Sequence, residues 1–351
     1  MPTQIPPLPA ASRPAGSPAP GDIVYPSAIP FLLVHLSCFA AIWSGVSWRA
    51  LALCAVLYGL RMFGVTAGYH RYFSHRAFAT SRAFQFVLAL LAQSSAQSSV
   101  LWWAANHRHH HRFSDTEHDL HSPLHRGFFY SHVGWLFVRR NQKTDLVQIE
   151  DLARFPELRW LHRFALAPAI FLGVLSFAIA GWSGLVVGFA WSTVLVWHAT
   201  FCINSLAHVR GRARYVTGDG SRNNALLALI TLGEGWHNNH HAYQSSARQG
   251  FRRWEIDPTY YALLALVRLR LVWDLKFPPP ARRGQRPSAR QPGGAARRRT
   301  AGRRLQSRRD RRRRALGPAG LPGRRTAGAH RRGPAGGQRR TEGLLPRPAQ
   351  P

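Results

Sequence analysis

Four apolar runs, each close to the roughly 20 residues a helix needs to cross a hydrocarbon core, constrain this chain more than anything else in it. They extend from about Ala28 to Trp43, Ala50 to Gly68, Phe164 to Trp182 and Leu185 to Ala207. The first pair is joined by "SGVSW" and the second by Ser183 and Gly184, so the pattern predicts two helical hairpins. The expected fold class is an all-α integral membrane protein with four transmembrane helices in two hairpins.

Charge gives the orientation. Arg71, Arg76, Arg82, Arg108, Arg112, Arg126, Arg139, Arg140 and Lys143 lie between the hairpins, and Arg210, Arg212 and Arg214 follow the fourth run. The opposite loops hold a single Arg, Arg49. The positive-inside rule then makes the chain multi-pass with the central region and both termini cytoplasmic. The net charge of +32 suggests nucleic acid until it is divided, because the 22 Arg and two acidic residues of 281–351 supply +20 of it. That stretch has no aromatic residue, Ile or Val and cannot bury enough apolar surface to offset chain entropy, so it is expected to be disordered; an Arg-rich tail can bind anionic lipid or nucleic acid nonspecifically, but a solvated extension with no specific nucleic-acid partner is expected. Three segments result: a flexible Pro-rich leader over 1–26, a membrane domain over 27–278 and a disordered Arg-rich tail over 279–351. The leader lacks the basic and apolar regions of a secretory signal. Cys38, Cys54 and Cys202 sit inside apolar runs with no disulfide or thiolate-metal spacing.

Two further stretches read as helices that do not cross, the first interfacial or half-buried and the second surface-lying. In Ala83 to Trp103 the polar "QSSAQSS" leaves too short an apolar run to cross, and Asp145 to His162 mixes apolar and charged residues.

The histidines gather in "HRYFSH" (His70, His75), "HRHHH" (His107, His109, His110, His111) and "HNNHH" (His237, His240, His241). His-x-x-His-His occurs in the last two, and positions i, i+3 and i+4 share a helix face, so each presents three imidazoles toward one point. His70 and His75 are about 140° apart on a regular helix and converge only if it ends or bends between them. Asn204 and His208, in "NSLAH", face the same cytoplasmic mouth. One such tract is most simply incidental; three at the ends of membrane elements on one side are not. Eight or nine nitrogen ligands without thiolate suit two iron ions better than structural zinc. Asp115, Glu117, Asp119 and Glu234 are the carboxylates expected to orient the rings.

"GYHRYFSHRAF", "HRHHHRFSDTEHDLHSP", "GFFYSHVGWL", "NSLAH" and "GEGWHNNHH", in this order and separated by hairpin spans, resemble the membrane-bound fatty acyl desaturases of the delta-9, stearoyl-type group. The resemblance covers about Pro26 to Pro278. It implies a four-span fold with a cytosolic helical cap around a di-iron centre, which uses O2 and two electrons to form a cis double bond in a saturated acyl chain. Its nine histidine ligands fall on His70, His75, His107, His110, His111, His208, His237, His240 and His241, and Asn204 matches a water-mediated contact to iron. His109 falls between ligands. His118, His121 and His132 take structural or supporting positions, and His35, His162, His198 and His330, which have no partner pattern, are expected to have no metal role.

An acyl-CoA is the substrate expected first, with Arg71, Arg76, Arg108 and Arg112 meeting its phosphates. The chain departs from the animal acyl-CoA enzymes at Ala105 and Asn106, where they carry an Arg-Asp pair, which leaves phospholipid or carrier-protein substrates open. "QPGG" at 291–294 stands where fused-haem enzymes have "HPGG", so a separate donor, a ferredoxin or a b-type cytochrome with its reductase, is expected. A histidine-box hydroxylase is the alternative within enzymes. A non-catalytic metal-binding membrane protein is the alternative outside them, although a transporter would hold its ligands near the bilayer midplane.

Overall fold

The structure, a computed structural model, describes residues 25–278, all within one compact unit. The expected tail and all but the last two residues of the expected leader lie outside the described residues. Helix α1 (Ala28–Ser44) is apolar but only 17 residues long. After Gly45 comes α2 (Trp48–Ser74), 27 residues, which is α-helical to Phe63 and π-helical from Gly64. Helix α3 (Arg82–Gln93) is a shorter apolar helix and α4 (Val100–Phe113) carries the second histidine cluster. Pro156 starts α5 (Pro156–Arg163), and α6 (Ala167–Val209) is 43 residues long. The third cluster lies on α7 (His237–Ala242), and α8 (Pro258–Arg268) precedes a strand at Val272–Trp273 that pairs antiparallel with Ala79–Thr80.

Two of these helices, α2 and α6, are long and apolar enough to cross a membrane. Helix α6 is not one rod. At Ala180 (φ −141°) and Gly181 (φ 60°, a left-handed value that suits glycine) the chain turns back, a few residues before the expected turn at Ser183 and Gly184. A side chain at Gly184 would collide with the Ser176 carbonyl, so the close approach of the two limbs depends on its having none. The reversals sit together: Ser183 Oγ donates to the Gly45 carbonyl at 3.0 Å. The far ends of α2 and α6 carry His70 and His208. Outward-facing side chains are apolar along α1 and the first limb and turn of α6, including Leu32, Leu33, Leu36, Phe39 and Ile42 of α1 and Ile170, Phe171, Val174, Phe177 and Trp182 of α6. An apolar face of that extent is what a lipid-facing surface requires.

The two surface-helix expectations need correction. Ala83 to Trp103 is not one helix: Ser94 to Ser99 is irregular, with Ala96 (φ 56°) and Ser98 (φ 69°) in the left-handed region, and Ser99 caps α4 by accepting from the Trp102 amide. In Asp145 to His162 helix is confined to Glu150–Ala153 and Pro156–Arg163, because Pro156 cannot continue the first piece.

Candidate metal centre

The π-helical end of α2 solves the spacing problem of the first cluster. Bonds from i to i+5 stack residues five apart, and the His75 amide donates to the His70 carbonyl at 3.2 Å. Convergence therefore comes from a widened helix that the regular 3.6-residue period does not anticipate. The short helices α4 and α7 present their i, i+3, i+4 faces to each other.

Nine imidazoles assemble as two groups. In the first, His70, His75, His107, His111 and His240 bring ligand atoms within 4.8 Å of one another. The Nε2 atoms of His75 and His107 are 2.8 Å apart, those of His107 and His111 2.9 Å, those of His111 and His240 2.9 Å, and those of His240 and His70 3.0 Å. The second holds His110, His208, His237 and His241, with Nε2 of His208 and His237 3.0 Å apart. The Nδ1 side decides which atom each ring turns inward. His110 donates to Asp119 at 3.0 Å, His208 to Asp115 at 2.7 Å, His241 to Asp219 at 2.7 Å, and His70 pairs with Glu234. With the proton held on Nδ1, each Nε2 lone pair points into its group. Lone pairs converging at these distances repel unless a cation lies among them. The donor set therefore fits a metal ion in each group.

Electrostatics agree with neutral ligands at six of the nine rings, whereas at His110 burial is overcome by the charges of Asp119, Asp115 and Asp219, which raise the imidazole. Burial, reinforced by the neighbouring rings, holds His75, His107, His111, His237 and His240 well below the ordinary imidazole value, and His241 is lowered to about 4 although Asp219 opposes the shift. Burial would raise Asp115, but its bonds from His208, Ser122 and the Gly220 amide lower it to about 2. Asp119 and Asp219 are likewise held well below the carboxylate range against their burial.

Of the cavities that meet the centre, two border Asn204. One of about 30 Å³ lies between the groups, lined by His70, His107, His110, His237 and Asn204, with room for a ligand of one or two heavy atoms. The other, about 360 Å³, is walled by Phe31, Trp103, Trp135, Trp197 and Phe201 and reaches His107 and Asn204.

Some expectations fail. Glu117 is exposed and meets no imidazole, whereas Asp219, which the sequence reading left out, holds His241. Arg71 is not available to a phosphate: it is buried between Glu234 and Asp257. Arg108 is tied to Asp151 and to the Phe73 and Ser74 carbonyls, whereas Arg76, which also pairs with Asp151, and Arg112 are exposed. His109 turns away and reaches the His118 carbonyl at 3.0 Å, and His118 itself is exposed. His121 stacks on His110. His132, His198 and His35 form their own chain of ring contacts, each step 3.0 Å, and His162 meets Ser99. His330 lies outside the described residues.

A family model described as fatty acid desaturase matches residues 47–268. The chain is 37% identical over 250 residues to an sn-1 stearoyl-lipid 9-desaturase of Anabaena variabilis, covering 70% of this chain and 92% of the relative. It is 35% identical over 275 residues to the sn-1 stearoyl-lipid 9-desaturase of Synechocystis, covering 78% and 85%. It is 37% identical over 249 residues to an acyl-CoA 5-desaturase of Anemone leveillei, covering 70% and 77%.

Proposed function

The chain belongs to the fatty acid desaturase family, making it an oxidoreductase acting on fatty acyl substrates, and on that premise we propose that it is a di-iron enzyme that uses O2 to form a cis double bond at position 9 of a stearoyl-type chain. The observation that carries this reading is the conjunction of two imidazole sets with inward lone pairs and an aromatic-walled cavity that reaches His107 and Asn204. His70, His75, His107, His111 and His240 would hold one iron, and His110, His208, His237 and His241 the other. When bound, the irons supply the O2 chemistry that removes two hydrogens from adjacent methylenes. The residues do the rest. Glu234, Asp115, Asp119 and Asp219 keep protons on Nδ1 and the rings in place. Trp103, Trp197 and Phe201 offer apolar walls that exclude water and fix a hydrocarbon chain against His107. Asn204 borders both cavities, where its amide can hold a small polar ligand beside the metals.

The carrier we propose is a membrane lipid. Of the four arginines placed to meet acyl-CoA phosphates, two, Arg71 and Arg108, are committed to partners within the protein. Both cyanobacterial relatives are named as lipid desaturases. The active site and both termini are assigned to the cytoplasm, and electrons to a separate ferredoxin or b-type cytochrome with its reductase.

Expression in a host without desaturase activity, followed by mass spectrometry with double-bond localisation, tests the reaction. Monounsaturated chains with the bond at carbon 9, appearing first in glycerolipids, are expected. A hydroxylated product would move the chain to the hydroxylase alternative, and wholly saturated lipid from folded, reduced protein would remove the enzyme reading for this substrate. Early label in acyl-CoA would restore that carrier.

The Arg-rich tail is expected to be dispensable for chemistry, since all nine candidate ligand histidines lie between positions 70 and 241. Protein truncated after Pro280 should turn over as the full chain does when an electron donor is in excess. A slower rate only at limiting donor would show that the tail's charge recruits it.

A further inference from the structure

The carboxylates around the two imidazole groups are unevenly shared. Three of the four rings of the smaller group are backed by an aspartate: His208 by Asp115, His110 by Asp119 and His241 by Asp219. These pairs are buried, the least covered side chain among them being Asp219 at 8% exposure. The larger group has one carboxylate, Glu234 on His70, and Arg71 neutralises it from the other side while also binding Asp257. Among the described residues, Nδ1 of His111 and of His240 in the larger group, and of His237 in the smaller, has no hydrogen-bond partner, so the asymmetry rests on the carboxylates.

A carboxylate that accepts an Nδ1–H makes the ring a stronger donor to a metal, and its negative charge favours the more highly charged ion. Both effects grow as water is excluded, and these pairs are dry. We infer that the two metal positions are electrostatically unequal, and that the iron held by His110, His208, His237 and His241 is the first to be oxidised; this rests on the two-iron reading above. Asp115, Asp119 and Asp219 are then positioning residues that set the order in which the irons lose electrons. Each step takes one electron from one ferrous ion and reduces one ferricenium ion when that oxidant is used.

The full chain, loaded with iron-57 in lipid nanodiscs and reduced anaerobically, is titrated with ferricenium and read by Mössbauer and electron paramagnetic resonance spectroscopy. At one oxidant per chain, equal ferric and ferrous doublets with a mixed-valence resonance are expected. Asp219→Asn and Asp115→Asn keep size and remove charge, and each should shift the first oxidation step to higher potential and reduce the mixed-valence signal. Glu234→Gln should leave the first step in place and move the second. Iron is counted in every sample. Two irons per chain that oxidise together overturn the inference and leave the two-iron reading standing. A first step that follows Glu234→Gln and ignores both aspartates overturns it as well. Fewer than two irons in the unmodified chain overturns the two-iron reading, and the inference falls with it. Should Asp219→Asn shed iron, Asp115→Asn and the unmodified protein still decide the matter.

Discussion

Alanine at His240 or His110, one residue from each imidazole group, should strip iron from the purified protein and lower product formation by more than about 100-fold, beyond what loss of a supporting contact costs. His240 stands at a junction: its Nε2 lies 3.0 Å from that of His70 and 2.9 Å from that of His111. His110 is buried, with Nδ1 fixed by Asp119, so its Nε2 has no other task than to face inward. His109 is the control because it sits in the densest histidine tract yet bonds the His118 carbonyl on the other side of α4. His109→Ala should keep two irons and most of the activity. Iron analysis of the purified variants, alongside product assay, separates these outcomes. Equal damage at His109 would refute the helical register, and full iron after His110→Ala would falsify the two-iron assignment.

That contrast is legible in the sequence, since His107, His110 and His111 share a helix face by spacing alone. The apolar runs are legible in part: they fall on α1, α2 and α6, of which α2 and α6 are long and apolar enough to cross a membrane. What the spacing could not reveal has a common cause. His70 and His75 meet through a π-helical segment, and no residue type in "HRYFSH" marks a change of hydrogen-bond register. Asp219 reaches His241 across 22 positions, a pairing decided by how the loop after α6 folds back onto α7. Its only local signal is the "GDG" at Gly218 to Gly220, which also suits an ordinary turn. Glu117 failed for the converse reason: lying near histidines in sequence does not aim a side chain at them. The basic residues show the same limit. As letters, Arg71 and Arg112 are equivalent phosphate ligands; in the fold one is entombed and the other exposed.

Arg71→Met should therefore be the most damaging substitution outside the ligands. The Arg71 guanidinium donates to Asp257 at 3.0 and 3.1 Å, to Glu234 at 3.2 and 3.3 Å and to the Ala247 carbonyl at 2.7 Å, with all three charged side chains almost wholly buried. Removing one partner of such a cluster leaves the others as uncompensated buried charges, a loss of about 3–5 kcal/mol. For a domain of this size that lowers the thermal midpoint by at least about 6 °C. Arg82, paired with Glu157 but largely exposed, provides the comparison, and Arg82→Ala should melt with the unmodified protein. The damage should reach the metal centre too, because Glu234 orients His70 and loses the cation that holds it. If the cost lies in stranded carboxylates, removing one should relieve it. Asp257→Asn keeps an oxygen that can cap α8 through the Tyr260 amide, so Arg71→Met with Asp257→Asn should be less destabilised than the sum of the single changes. Strict additivity in that cycle, measured by thermal melts in detergent, would mean that Arg71 acts by packing and not by charge.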